Sequence, residues 1–282
     1  MIPTRPTRPS PVDGYSIRTT DDGSDTVVID RVELDVIDRV EPDVIDRVKL
    51  DGVGEVAFHS GCGAVAESRH VYLQNSGVLS SIEDGVAVRL LEVGVGVGLN
   101  FLLTADAVRC RTEDELNIGD HDAPPRLSYV GLDSNWLNAS VINDLNHDQF
   151  LRNEDLRAAM IEVHIGFNSS STQTHRSFDS ACGNVSATFY DQSFFDWCDV
   201  HAAVVDPFDA IYFDPFDPAT NPELWTTATF ERLRDLTRPG GCLTTYCVKV
   251  SVRRAMQSAG WDVRRVPGPP GGKREVCVAT RT

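Results

Sequence analysis

No stretch of this sequence is apolar over the roughly 20 residues needed to cross a bilayer as a helix. The N-terminal MIPTRPTRPSP carries basic residues with no apolar core behind them, which is not the pattern of a secretory signal. The expectation is a chain without membrane attachment, working in the cytoplasm. CxxC spacing is also missing. The seven cysteines, Cys62, Cys110, Cys182, Cys198, Cys242, Cys247 and Cys277, are odd in number, so neither a disulfide framework nor a structural zinc site is expected. They read as small core residues in a reducing compartment, and no metal is expected. Positive charge is in short supply, with 26 Lys/Arg against 42 Asp/Glu and a net charge of −16. Taken alone, this disfavours a nucleic-acid partner. The shortage is uneven, however. Residues 231–282 hold eleven Lys/Arg and four Asp/Glu, a surplus of seven, which leaves −23 on the rest. That asymmetry suits either a localised anion-facing surface or a solvated helical face.

What remains is a chain of 282 residues, 41% hydrophobic, enough for one sizeable core. Residues 1–26 are polar and rich in Pro, Thr and Asp, with poor order expected at the start. IDRVELDV, IDRVEPDV and IDRVKLDG then repeat with a period of eight over residues 29–52. The array is too brief for a solenoid, and Pro42 argues against a central strand. It reads as a local duplication in a surface hairpin or loop. The expected division is an N-terminal extension, 1–52, and a catalytic domain, 53–282. Within 55–79, Phe58, His59, His70 and Tyr72 offer chemistry, but the histidines lack zinc spacing and packing is the expected role of each.

From residue 86 apolar strand patterns at 87–93, 127–133, 185–190, 208–213, 241–247 and 274–280 alternate with helical signals. Ser251 is placed to cap a helix with an apolar stripe of Val252, Ala255, Met256 and Ala259, closed by Gly260. Asn221-Pro222 opens another that stops before Pro239-Gly240-Gly241. The polar stretch 168–180 reads as a surface loop. The pattern predicts an α/β fold: a mostly parallel sheet with helices on both faces, Rossmann-like.

Strand 87–93 runs into Glu92-Val93-Gly94-Val95-Gly96-Val97-Gly98-Leu99-Asn100, a glycine turn opening a helix. The spacing is GxGxG rather than the dinucleotide GxGxxG, and no lysine follows to grip a phosphate. Gly94, Gly96 and Gly98, with the preceding acid Glu92, suit S-adenosylmethionine, which has an amino-acid end and a ribose but no phosphate. Asp133 ends the next strand, where an acid can accept from ribose hydroxyls, and Asp191 follows the third, where it can meet an adenine amino group. Helix capping is the structural alternative for each acid alone. The fourth strand ends in Asp214-Pro215-Phe216-Asp217-Pro218, which resembles the Asp-Pro-Pro-Tyr turn of amino-group methyltransferases. Asp214 is the catalytic candidate. An amine attacks a sulfonium methyl only when its lone pair is free and aligned, and a carboxylate can orient it and take up the proton.

EVAFHSGCGAVAESRHVYL, LLEVGVGVGLNFLLTA, DAIYFDPFDPATNPELWT, LTRPGGCLTTY and VPGPPGGKREV occur in this order. Together they resemble the methyltransferase part of the bacterial enzyme family that completes 5-methylaminomethyl-2-thiouridine at the tRNA wobble position. The resemblance covers residues 52–282 except 141–184. It implies a Rossmann-like class I methyltransferase, S-adenosylmethionine as methyl donor and tRNA as partner. It also implies cofactor binding by Glu92, Gly94, Gly96, Asp133 and Asp191, Asp214 at the reacting amine, and Phe216 and Trp225 near the substrate. Lys273 and Arg274, after the PGPPGG loop, are expected over the active-site edge as substrate contacts. Val97 stands where threonine is usual, and Asp191 lacks the usual preceding glycine. Bifunctional relatives continue into a flavin-dependent oxidase; the sequence stops at Thr282 without one, so methyl transfer alone is expected. The alternatives are action on a small-molecule or protein amine, or a silent cofactor- or RNA-binding module.

Overall fold

The computed structural model describes residues 7–10, 12, 14–30, 55–59, 61–118, 126–169 and 173–282. Its centre is made by strands whose burial is almost continuous, as expected when helices cover both faces of a parallel sheet. These are β5 (Val88–Val93), β6 (Leu127–Asp133), β8 (Val185–Asp191), β9 (Phe208–Phe213) and β10 (Thr237–Thr245). The 8-stranded sheet has the order β11-β12-β10-β9-β5-β6-β8-β7. The five central strands are parallel, and β7 (His175–Asp179), β11 (Trp261–Pro267) and β12 (Glu275–Arg281) add antiparallel edges.

Side chains alternate between the two faces with the strand period of two. Leu90 and Tyr212 pack with Phe101 and Met160 in one core cluster; Leu91 and Phe213 pack with Trp197, Phe230 and Met256 in the other. The first face is covered by α1 (Ala64–Glu67, continuing as a π-helix over Ser68–Gln74), α2 (Val78–Glu83), α3 (Leu99–Ile118) and α5 (Asp155–Asn168). The second is covered by α6 (Phe194–His201), α7 (Thr227–Leu236) and α8 (Val250–Ser258). The short α4 (Ala139–Asp144) joins a third cluster.

That third cluster belongs to a small antiparallel sheet, β1 (Thr7–Pro9), β2 (Tyr15–Thr19), β3 (Asp25–Asp30) and β4 (Glu55–Ala57). Ile17, Val27 and Ile29 from it pack with Val65, Leu99, Leu103 and Val141. The described residues between Thr7 and Asp30 thus form strands despite their polar composition, because alternate residues of β2 and β3 are apolar and find a partner surface. Val28 pairs with Ala57, so this sheet spans the boundary expected at 52/53. Most of the eight-residue repeat lies outside the described residues.

Three other expectations shift. Within 168–180, residues 175–179 form the edge strand β7, whose Phe178 packs on Phe101 and whose Arg176 lies over Phe167. Ser251 does not cap α8; Lys249 holds that position and no side chain caps the helix, although Val252, Met256 and Ala259 are buried as expected and Gly260 follows at a φ of 88°. The helix opened by Asn221-Pro222 divides into a 3₁₀ turn, Pro222–Trp225, and α7, because Thr226 caps α7 by accepting from Thr229 N–H at 3.3 Å.

Gly98 starts the turn into α3 at a φ of 78°, and a Cβ there would run into the Sδ of Met160, a fully buried residue. Gly98→Ala is expected to lower stability by about 1–3 kcal/mol, through overpacking and left-handed strain. Thermal melting against wild type measures it.

Candidate active site

The chain runs from β5 to β6 on one side and later returns to β9 on the other, so the carboxyl ends of β5 and β9 flank a topological switch point. A cavity of about 630 Å³ opens there, within the range of small-molecule sites. Its walls include Gly94, Gly96, Asn100, Asp133, Asp214 and Phe216.

Asp214 leaves β9 with its N–H donating to Val93 carbonyl at 2.9 Å. The glycine turn passes so close that a Cβ on Gly94 would come within 2.6 Å of the Asp214 carbonyl oxygen. One Asp214 carboxylate oxygen accepts from the hydroxyl of Tyr72, and the other from Asn100 Nδ2 at 3.0 Å. Desolvation in this enclosed site, with Glu67 adding repulsion, raises Asp214 to about 7, although Tyr72, Asn100 and Lys273 pull the other way.

The turn that holds Asp214 is tied at two carbonyls. Tyr246 donates its hydroxyl to Pro215 carbonyl at 2.9 Å, and Trp225 donates Nε1 to Phe216 carbonyl at 2.9 Å. Trp225 is buried against Phe213 and is not part of the cavity wall; it holds the turn rather than facing a ligand. Phe216 does face the cavity, edge-on to Phe58 with ring centroids 5.2 Å apart. Phe58 also lies over Gly96, where a Cβ would sit 3.0 Å from its ring.

Asp133 ends β6 with one oxygen accepting from Gly96 N–H at 2.8 Å and the other from Asn135 N–H at 2.9 Å. The remaining expected cofactor residues fall elsewhere. Glu92 is fully buried beneath the turn, accepting from Asn100 Nδ2 at 2.7 Å and from the Tyr129 hydroxyl. Burial raises its pKa strongly, and it reaches the site only through Asn100. Asp191, the last residue of β8, is exposed, and the next residues, Gln192, Ser193 and Phe194, line the cavity instead. Gly98 packs against Met160 away from the lining. Lys273 turns into the cavity, with Nζ 3.1 Å from Glu67 and 3.8 Å from the Tyr246 ring centroid, whereas Arg274 is exposed. Tyr72, expected only to pack, and Asn100 and Glu67, which lie inside motifs but were given no role, are site groups that sequence reasoning missed. Among the described residues no cluster of His, Cys, Asp or Glu could hold a metal ion, and no helix is long and apolar enough to cross a membrane.

Residues 169–282 match the family model described as S-adenosyl-L-methionine-dependent methyltransferase. The chain is similar to two proteins named tRNA 5-methylaminomethyl-2-thiouridine biosynthesis bifunctional protein MnmC. That of Delftia acidovorans is 30% identical over 217 residues, 76% of this chain and 30% of the relative. That of Ralstonia nicotianae is 30% identical over 223 residues, 79% of this chain and 31% of the relative. The chain therefore spans about a third of the length of these relatives. The crystal structure of MNMC2 from Aquifex aeolicus superposes with a TM-score of 0.63 at 20% identity, covering 96% of this chain and 72% of that one, and shows the same fold.

The site suits S-adenosylmethionine on its own terms. Asn100 Oδ1 and Gln192 Oε1, both buried acceptors on residues lining the cavity, have no hydrogen-bond partner among the described residues. The cofactor carries an ammonium group, ribose hydroxyls and an adenine amino group that can supply such donors. The turn at Gly94–Gly96 presents backbone without side chains to approach it. Gly96→Leu should abolish binding of S-adenosylhomocysteine in a calorimetric titration, because φ is 55° there and the new side chain would meet Phe58. Retained binding would move the cofactor away from this turn. The family match over residues 169–282 thus agrees with the sheet order and with a cavity whose chemistry suits S-adenosylmethionine.

Proposed function

We propose that the chain methylates the 5-aminomethyl group of a wobble uridine in tRNA, giving the 5-methylaminomethyl product. The observation that carries the reading is the Asp-Pro-Phe turn at the cavity floor, with Asp214 held by Tyr72 and Asn100. The names of the relatives, which specify biosynthesis of 5-methylaminomethyl-2-thiouridine in tRNA, support the choice of substrate. A tRNA substrate and a soluble methyl donor place the work in the cytoplasm.

When bound, S-adenosylmethionine supplies an electrophilic methyl group on a sulfonium. The protein's part is to present a neutral, aligned amine. Each Asp214 oxygen spends one lone-pair direction on a fixed donor, so a second remains on each for a substrate N–H. The carboxylate thereby orients the nitrogen and accepts the proton that the amine must lose. A group raised to about 7 is matched to proton exchange near neutrality. The clamped Pro215 and Phe216 carbonyls fix the turn, which spares the entropy of ordering it when substrate enters. We assign cofactor contacts to Gly94, Gly96, Asn100, Asp133 and Gln192, and substrate contact to Phe216.

The charge asymmetry narrows once ion pairs are considered. Arg232, Arg238, Arg264 and Arg265 are paired with Asp199, Asp209, Asp262 and Glu275 at 2.6–2.9 Å. Arg253 is half-buried and donates to Val248 carbonyl at 3.2 Å, so it does not project freely as its helix position suggests. Arg254 and Arg274 are exposed and, among the described residues, form no ion pair. These two are our candidates for phosphate contacts.

Transfer of a labelled methyl group to bulk tRNA, followed by nucleoside mass spectrometry, tests the reaction. Appearance of 5-methylaminomethyluridine is expected; label on a small amine or protein alone would reject the tRNA assignment. Asp214→Ala should lose about 10²–10⁴-fold in turnover with cofactor affinity near wild type. Since the ionised form is the active one, wild-type kcat/KM should fall as pH drops through about 7. Neutralising Arg254 and Arg274 together should reduce the slope of log affinity for tRNA against log salt by about two. An unaltered slope would mean that both arginines are merely solvated.

A further inference from the structure

Glu67 and Lys273 form an ion pair inside the reaction cavity that the methyl-transfer reading leaves without a role. Glu67 is only 4% exposed. A buried carboxylate is costly unless paired, and a neutral side chain would pack as well without that cost. Lys273 comes from a loop 206 residues away in sequence and is pinned against the α1/π-helix in several ways. His70 Nε2 lies 2.9 Å from Pro267 carbonyl at the loop's start. A Cβ on Gly272 would sit 2.5 Å from Cys62 Sγ, so the loop presses on the segment before α1. Lys273 Nζ then completes the contact at 3.1 Å from Glu67. Its position is built, not a swinging arm on the surface.

The same helix supplies Tyr72, whose hydroxyl holds Asp214. In an α-helix, residues five apart lie about 140° from each other around the axis. Here the π-helix, with Asn75 N–H donating to His70 carbonyl, brings Glu67 and Tyr72 to the same cavity. On the other side, Lys273 Nζ rests on the ring of Tyr246, which ties down the carbonyl next to Asp214. Glu67 thus shares a helical segment and the cavity wall with one of Asp214's supports, Tyr72, and Lys273 rests on the ring of another, Tyr246.

We propose that Glu67 and Lys273 are positioning residues that set the charge state of Asp214 and so fix the pH window of the transfer step. This rests on the assignment of Asp214 as proton acceptor. Tyr72 and Glu67 face Asp214 from the α1/π-helix, and Asn100 from α3, with Glu92 beneath it on β5. Tyr246 approaches from the end of β10 and Lys273 from the loop before β12. Asp217 lies on Asp214's own turn, 3.8 Å from Lys249, and His59 and Asp133 line the same cavity. Of these, Glu67 opposes ionisation of Asp214 and Lys273 favours it; Glu67 is the stronger of the two, and desolvation outweighs both.

Infrared spectroscopy of the free protein provides the test, following against pH the protonated-carboxyl band that Asp214→Asn removes in each background. The wild-type midpoint is expected near 7. Glu67→Gln, which leaves the lysine facing Asp214, should lower the midpoint by about one pH unit, and Lys273→Met should raise it by about as much. Lys273→Arg should restore it, and the double variant should fall between the single ones. The acidic limb of kcat/KM should move with the band. Unmoved midpoints, or shifts in the same direction for both single variants, overturn the proposal. Opposite shifts support it even where wild type transfers no methyl group to tRNA, an outcome that removes the reaction reading alone.

Discussion

The abutment of two strand ends governs this molecule. β5 and β9 are neighbours in the sheet, with Val93 opposite Phe213, so the glycine turn and the Asp-Pro-Phe turn must leave the sheet side by side. Backbone meets backbone there: the Asp214 N–H reaches Val93 carbonyl at 2.9 Å, and Gly94 has no room for a side chain. The glycine turn and the turn that carries Asp214 are therefore one construction. Any residue that pried the turns apart would alter both, and the packing of α3 and α7 on opposite faces keeps the strand ends in register.

Around that joint the protein gathers acidic groups in a desolvated space. Glu92, Asp133 and Asp214 all hold their protons more tightly than in water, burial being the first cause in each case. They are managed differently. Glu92 is enclosed and bonded by Asn100 and Tyr129, Asp133 is neutralised in part by backbone N–H groups, and Asp214 is left with open lone pairs at the cavity. Asn100 links two of them through a single amide nitrogen, so the enclosed acid braces the donor that holds the one at the cavity. The same carboxylate chemistry is closed off in one place and open to the cavity in another because the surroundings differ.

Local motifs were readable where function and backbone geometry coincide. The glycine turn, the strand-end Asp133, the Asp214 turn and the α/β alternation could be named from the sequence because each is contiguous. The direction of a side chain at a strand end was not readable: Glu92 turns under the sheet and Asp191 turns to solvent, although both sit next to the expected positions. Trp225 was placed in the right neighbourhood, but its indole serves the turn's backbone. Lys273 was expected at the active-site edge and does reach the cavity, but its partner Glu67, 206 residues away, and the bond of Tyr72 to Asp214 across 142 residues were not readable, since no periodic pattern carries information over such distances. The small N-terminal sheet was hidden by its polar composition, since only a few alternate positions are apolar.

The π-helix over Ser68–Gln74 makes the site depend on how one segment is wound as well as on its composition. If the same residues took ordinary α geometry, the five steps from Glu67 to Tyr72 would turn through about 140° around the axis. The tyrosine would then leave Asp214. Every side chain of the site would still be present in the sequence, yet the constellation would be lost, so the backbone's winding here bears on the site as directly as any substitution.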